Sequence, residues 1–323
     1  MMPETNTYSA EAIRLLNRQL KEWPLANKNF LLLKSIRLKT FEMDGFTIKV
    51  QFTPSRMLSS NAKVDMFSLK ERKCFLCSHH LPPEQEKRVW KAKYLLLVNP
   101  YPIFPEHFTI PSIEHVDQRI LHRFEDFLEL AHALDAFTVF YNGPKSGASA
   151  PDHAHFQAVT RHIMPIDDEV YTRIEEGQRL IQLPGGTLYQ LTHYLRNGFV
   201  IKAQTIEAAH TLFKLVYKHL VVKPDEVEPG MNMFAHYQNG TWTITIIPRK
   251  KHRPWQFAAK GEERLLSSPG AADIGGLFVT AREEDFEKIR KDLLEDIYSQ
   301  VCFNDTEIAE IAKKITANAP KGH

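Results

Sequence analysis

The sequence predicts an α+β chain built as two halves of similar content, each an antiparallel sheet with packed helices. Three observations predict it. Asp44-Gly45 and Asn239-Gly240 each sit between strand-like runs and read as hairpin turns. Between the strand runs stand segments of helical period; over 117–136, Ile120, Leu121, Phe124, Phe127, Leu128 and Leu134 fall on one stripe. Strands followed by a helix occur again in the second half, although no repeat is visible in the residues themselves.

The elements follow in chain order. Residues 9–23 read as an amphipathic helix capped by Ser9, with Ile13, Leu16 and Leu20 on one face. Strands are expected at 31–43 and 46–52, an irregular polar stretch at 56–65, then strands at 94–99 and 107–111. The helix at 117–136, a strand at 137–141, a loop and the His-x-His strand complete the first half. A helix over 167–180 connects to a hairpin of 187–195 with 199–203 around Arg196-Asn197-Gly198. A helix at 205–220, the 231–238/241–248 hairpin, a strand at 277–280 and a helix at 283–298 follow.

Composition narrows the function classes. The chain has 323 residues, 43% hydrophobic and 25% charged, ordinary values for a globular protein of two domains. A net charge of +2 gives no case for a nucleic-acid coat, while local basic groups suffice for a small polyphosphate. No apolar run approaches the ~20 residues of a membrane span, and the first residues lack the layout of a signal peptide. Three cysteines, Cys74, Cys77 and Cys302, make no disulfide framework.

The chemistry concentrates at His153-Ala154-His155-Phe156-Gln157. On a strand, residues two apart share a face, so both imidazoles and the glutamine amide are expected on one side. The preceding loop, 142–151, offers backbone amides at Gly143, Gly147 and Ala148, hydroxyls at Ser146 and Ser149, and the Lys145 cation. Amides, a hydroxyl and a cation beside an imidazole suit chemistry on a phosphate ester. Cys74-Phe75-Leu76-Cys77 runs into a polar turn rather than a helix, which favours a zinc site over a redox pair. His79 and His80 are near in sequence and are candidate ligands. The basic run Arg249 to Arg253, with Arg249 and Lys251 foremost, is a candidate clamp for a phosphate. Arg56, Ser60, Asn61 and Lys63 are candidates to face a base or ribose; His107 and His162 read as structural.

These residues resemble the histidine triad superfamily, within it the galactose-1-phosphate uridylyltransferase-like branch. The resemblance rests on the His-x-His-x-Gln run and its loop, on Asn99-Pro100-Tyr101-Pro102, and on Ile110-Pro111 followed by His115. Residues 268–277, Ser-Pro-Gly-Ala-Ala-Asp-Ile-Gly-Gly-Leu, are similar to the C-terminal part of nucleoside-diphosphate-hexose phosphorylases. The resemblance implies two histidine-triad-like halves. The first, 1–165, would hold the zinc site and the motif; the second, 166–323, would lack catalytic histidines. It implies His155 as the residue nucleotidylated, with His153 and Gln157 beside it. Gln157 stands where hydrolytic triad enzymes carry a third histidine, and it favours transfer over hydrolysis. A structural zinc on Cys74, Cys77, His115 and His153 is implied, and a ribose contact by Asn99. Three residues separate Ser149 from His153, where the uridylyltransferases place two.

The expected function is transfer of a nucleoside monophosphate from a nucleoside diphosphate hexose to phosphate or a sugar phosphate. A dinucleoside tetraphosphate phosphorylase and a non-catalytic nucleotide sensor are the alternatives. The expected setting is cytoplasmic, without nucleic acid or membrane and with a homodimer allowed by the family.

Overall fold

The computed structural model of the protein describes residues 7–54 and 72–319. The chain opens with helices α1 (Thr7–Glu22) and α2 (Pro24–Leu32), then strands β1 (Arg37–Glu42) and β2 (Thr47–Phe52). Strands β3 (Arg88–Trp90), β4 (Tyr94–Val98) and β5 (His107–Pro111) lead to helix α3 (Phe124–Ala133), then β6 (Phe137–Asn142) and β7 (His155–Thr160). After helix α4 (Ile166–Glu176) come β8 (Gln178–Leu183), β9 (Gly186–Leu191), β10 (Gly198–Ala203), helix α5 (Ile206–His219), β11 (Met231–Gln238) and β12 (Thr241–Pro248). The C-terminal part holds α6 (Ala271–Ile274), β13 (Leu277–Thr280), α7 (Glu283–Lys288), α8 (Lys291–Val301) and α9 (Asp305–Ala317).

Ten strands form one antiparallel sheet in the order β3-β4-β5-β7-β6-β11-β12-β10-β9-β8. Read from either edge toward the middle, the order is the same: three strands in sequence, then the fifth, then the fourth. In each half a helix, α3 or α5, separates the third strand from the fourth. The α+β, two-half architecture expected from the sequence is therefore the observed one. β6 and β11 join the halves, Asn232 opposite Asn142. On the helical face Phe124 of α3 stacks on Phe213 of α5, ring centroids 3.9 Å apart and planes 4° from parallel.

One face of this sheet is buried by α1, α3, α5 and α9. The other is buried by a second layer: the β1-β2-β13 sheet with α4, α6, α7 and α8. β13 runs parallel to β2, so residues from opposite ends of the chain build this layer together. Along β7 the pleat sends Phe156 and Ala158 into the helical core and Val159 into the other. His155 and Gln157 therefore face the second layer.

The differences from expectation have local reasons. Residues 31–35 are helical, not strand; Leu31-Leu32-Leu33 carries no period that separates the two. The helix expected over 117–136 begins only at Phe124. Gln118 Nε2 instead donates to the carbonyls of Asn142 and His155, each at 2.9 Å, and the Ile120 amide donates to Glu228 Oε2 at 2.8 Å. The helix expected over 283–298 is split in two by extended Arg290. Residues 178–183 form a mostly exposed strand rather than the end of a helix. The Asn239-Gly240 turn is as expected, with φ of 50° and 76°.

Candidate active site

Strand β7 begins at His155, one bend later than the sequence suggests, so His153 lies just outside the sheet. A cavity of about 610 Å³ opens between the main sheet and the second layer, with His155 and Gln157 in its wall. His155 is 4% exposed. Its Nδ1 lies 2.8 Å from the His153 carbonyl. A carbonyl only accepts, so Nδ1 carries the proton and Nε2 keeps its lone pair for the cavity. Burial pushes the His155 pKa down to about 4, with the carbonyl hydrogen bond pulling weakly the other way. The ring is thus neutral at pH 7, the form that attacks phosphorus. Gln118 fixes the residue at both backbone ends: Oε1 accepts from the His155 amide at 2.7 Å and Nε2 donates to the His155 carbonyl.

Gln157 is aimed by a residue that reads as merely structural from the sequence. His107 Nδ1 accepts from the Ile103 amide at 3.4 Å, so its proton is on Nε2. Nε2 lies 2.8 Å from Gln157 Oε1. The glutamine must then present its oxygen to His107 and turn its NH₂ away from it, free to donate into the cavity. Asn99 also lines the cavity, held by the Tyr101 amide on Oδ1 (2.9 Å) and by its own donation to Thr109 Oγ1 (3.1 Å).

Four ligand atoms of Cys74, Cys77, His115 and His153 lie within 4.8 Å of one another. His153 Nε2 donates to the Ser112 carbonyl at 2.8 Å, which leaves Nδ1 bare, 3.2 Å from Cys74 Sγ. His115 Nδ1 is 3.1 Å from Cys77 Sγ. With two thiols and two imidazole nitrogens converging, the set could hold a metal ion, and its S₂N₂ chemistry fits zinc. Cys77, His79 and His80 form an overlapping group, although His80 Nδ1 is 2.9 Å from the Cys74 carbonyl. Asp152 pairs with Arg72 at 3.1 Å and approaches His115 at 3.7 Å. The tautomer of His153 is fixed by the Ser112 carbonyl.

The loop before β7 divides. Gly147 and Ser149 line the cavity; Ser146 is fully buried beneath it and Lys145 stands exposed beside it. Gly147 has φ +99°, and a Cβ there would meet Gly270 Cα at 2.3 Å, so only glycine lets this loop close on residues 268–273. The basic run divides too. Arg249 is buried and gives its donors to Asn232 Oδ1 (2.6 Å), the Pro269 carbonyl (2.9 Å) and the Val301 carbonyl (3.1 Å); it ties loops together and is not on the cavity wall. Lys251 is exposed and off the wall as well. Their neighbours His252 and Arg253 line the cavity, with Ser268 between them. Arg56, Ser60, Asn61 and Lys63 lie outside the described residues.

The site therefore gathers His155, Gln157, Asn99, Gly147 and Ser149 at one cavity, with the Cys/His tetrad two residues from His155 in the chain through His153. Arg249, Lys251, Lys145 and Ser146 are not on its wall. Gln118, His107, His252, Arg253 and Ser268 belong with the site. The sequence gives no signal for Gln118 and reads His107 as structural, whereas His252 and Arg253 lie in the basic run and Ser268 opens the 268–277 block.

Comparison with solved structures places the fold. Yeast Ap4A phosphorylase Apa2 in complex with AMP superposes with a TM-score of 0.53 at 19% identity, over 88% of this chain and 97% of that one. The same enzyme in complex with Ap4A gives 0.50 at 17% identity, over 86% and 96%. The likeness is one of fold: the two-half α+β architecture expected from the sequence is shared with that phosphorylase. Within it, residues 171–322 match the family model described as GDPGP1-like, C-terminal domain, and residues 15–160 match a domain of unknown function, DUF4922. No curated protein matches the chain.

Proposed function

We propose that the chain is a nucleotidyltransferase that carries a nucleoside monophosphate on His155 Nε2, and that it phosphorolyses a nucleoside diphosphate hexose. The observation that carries this reading is the neutral, Nδ1-protonated His155 whose bare Nε2 faces the cavity. In the first step Nε2 attacks the α-phosphorus in line; the bond to the bridging oxygen breaks and the hexose 1-phosphate leaves with the electron pair. In the second, an oxygen of inorganic phosphate attacks the same phosphorus, the P–N bond breaks, and the imidazole leaves neutral with a nucleoside diphosphate released. A phosphate leaving group is weakly basic and needs no strong acid. This suits Gln157, whose amide donates to the phosphoryl oxygen but delivers no proton. Gly147 and Ser149 are assigned to the polyphosphate and Asn99 to the ribose.

Residues 1–165 are taken as the catalytic half and 166–323 as the half that closes the cavity. The match of the latter to the GDPGP1-like domain supports the sugar-nucleotide substrate. Zinc on Cys74, Cys77, His115 and His153 would tie the 72–80 loop to the turn before β7, and so hold the nucleophile's backbone.

Superposition on Ap4A phosphorylase favours a second reading, in which the donor is a dinucleoside tetraphosphate and the leaving group a nucleoside triphosphate. Intact mass after incubation with a panel of both donor classes separates them. A gain of one nucleoside monophosphate from a sugar nucleotide, absent in His155→Ala, is the expected result. An adenylate gained only from Ap4A selects the second reading, and reversible binding with no adduct from any donor defeats both.

A further inference from the structure

The part of the cavity wall supplied by the second half carries a cation that the proposed reaction steps do not yet use. Two arginines line the cavity, Arg72 and Arg253. Arg72 is neutralised by Asp152. Arg253 has no carboxylate partner among the described residues: its Nε donates to Ser268 Oγ at 3.0 Å, its guanidinium lies over the Phe257 ring at 4.0 Å, and its two terminal nitrogens have no protein acceptor. His252 Nε2 lies 3.2 Å from the same Ser268 Oγ. Burial lowers the basicity of both, and no neighbouring acid offsets it. A half-buried guanidinium held flat by an aromatic ring, with its fork open to a cavity, is the geometry that takes a phosphate or carboxylate bidentately. The contact of Gly147 with Gly270 sets the 268–273 loop, and Ser268 with it, directly against the loop that precedes the nucleophile.

We infer that Arg253, with Ser268 and His252, is the subsite for a phosphate dianion, either free inorganic phosphate or the phosphoryl end of a sugar phosphate. This rests on the nucleotidyl-histidine reading for its place in the reaction. Two in-line displacements at one phosphorus require the acceptor oxygen to enter where the leaving oxygen departed, both opposite His155. One dianion subsite thus serves the leaving sugar phosphate in the first step and the acceptor in the second.

The test is calorimetric titration of the full-length protein with inorganic phosphate and, separately, with glucose 1-phosphate. The wild type is compared with Arg253→Met, Ser268→Ala and the exposed control Lys260→Met. Loss of a bidentate charged contact weakens dianion binding by on the order of tenfold or more in Arg253→Met; a smaller loss is expected in Ser268→Ala and none in Lys260→Met. Ser268→Ala carries the test if Arg253→Met does not melt cooperatively. The tighter of the two probes names the source of the dianion, and either order supports the subsite. A wild type that binds neither probe at millimolar concentration overturns it, as do substituted chains that bind both like the wild type. The mass measurement is independent. An Arg253-dependent dianion site with no His155 adduct would leave the subsite and remove the covalent reading; an adduct with Arg253-independent binding would do the reverse.

Discussion

The two halves of the ten-stranded sheet share one strand order, yet they put different chemistry on the same strand. The fifth strand of the first half is β7; its face toward the second layer holds His155 and Gln157 at the cavity. The fifth strand of the second half is β12, and the same face there carries Thr243, Thr245 and Ile247, all buried. The architecture alone is therefore not the site. Among the described residues, the first half adds devices the second lacks: Gln118 clamping the His155 backbone, His107 bonded to Gln157, and a Cys/His tetrad that includes His153. The second half contributes the closing wall, through His252, Arg253 and Ser268.

That contrast can be broken first at His155, the proposed nucleophile. His155→Ala is expected to lower turnover on the order of 10⁴-fold or more. Thr245→Val, on the matching strand, is expected to leave it within about twofold; steady-state phosphorolysis assays decide. A Thr245→Val defect comparable to that of His155→Ala would mean that catalysis is not confined to the first half.

The tetrad gives the next largest effect. Cys74→Ser is expected to lose bound metal, read by elemental analysis, and several kcal/mol of stability, read by thermal melting. Retention of both would assign the four residues to ordinary packing.

The glutamine pair sharpens the comparison further. Gln157→Ala is expected to slow adduct formation on the order of 10²-fold, and His107→Phe about tenfold. Because His107 acts through Gln157, the double variant should be no slower than Gln157→Ala alone. Additive losses in rapid-quench kinetics would free His107 from that role.

The smallest effect lies at the seam between halves. Glu228 accepts from the Ile120 amide and from Tyr141 on β6, and burial raises its pKa from 4.5 to about 7. Between those values the folded state binds more protons than the unfolded chain, so stability falls as pH rises from about 4.5 and levels off above 7. Glu228→Gln should remove part of that slope, worth about 1–3 kcal/mol at pH 8 and nothing near pH 4. Melting curves of both chains across this range would show it, and parallel curves would contradict it.

What was legible in the sequence followed local physics. Asn239-Gly240 fixes the β11–β12 hairpin because both residues adopt positive φ, and the spacing of His-x-His-x-Gln and of Cys-x-x-Cys already put His155 with Gln157 on one face and the two thiols in one cluster. What was hidden depends on contacts distant in sequence. β8 reads poorly because an edge strand with few buried positions carries little alternation. The parallel pairing of β13 with β2 joins segments more than two hundred residues apart. In the basic run, only the fold shows that carbonyls of Pro269 and Val301 consume the donors of Arg249 while Arg253 stays open to the cavity. His107 was invisible for the same reason: its partner Gln157 is fifty residues away.

The central claim is that the reaction passes through a nucleotide held on His155. Isotope exchange tests it most directly. The protein is incubated with its donor and with radiolabelled leaving product, hexose 1-phosphate for a sugar nucleotide, with no acceptor phosphate present. A covalent intermediate predicts that label enters the donor at a rate comparable to turnover, and that His155→Ala abolishes the exchange. Net phosphorolysis without any such exchange would mean a single displacement between donor and phosphate, and would contradict the account.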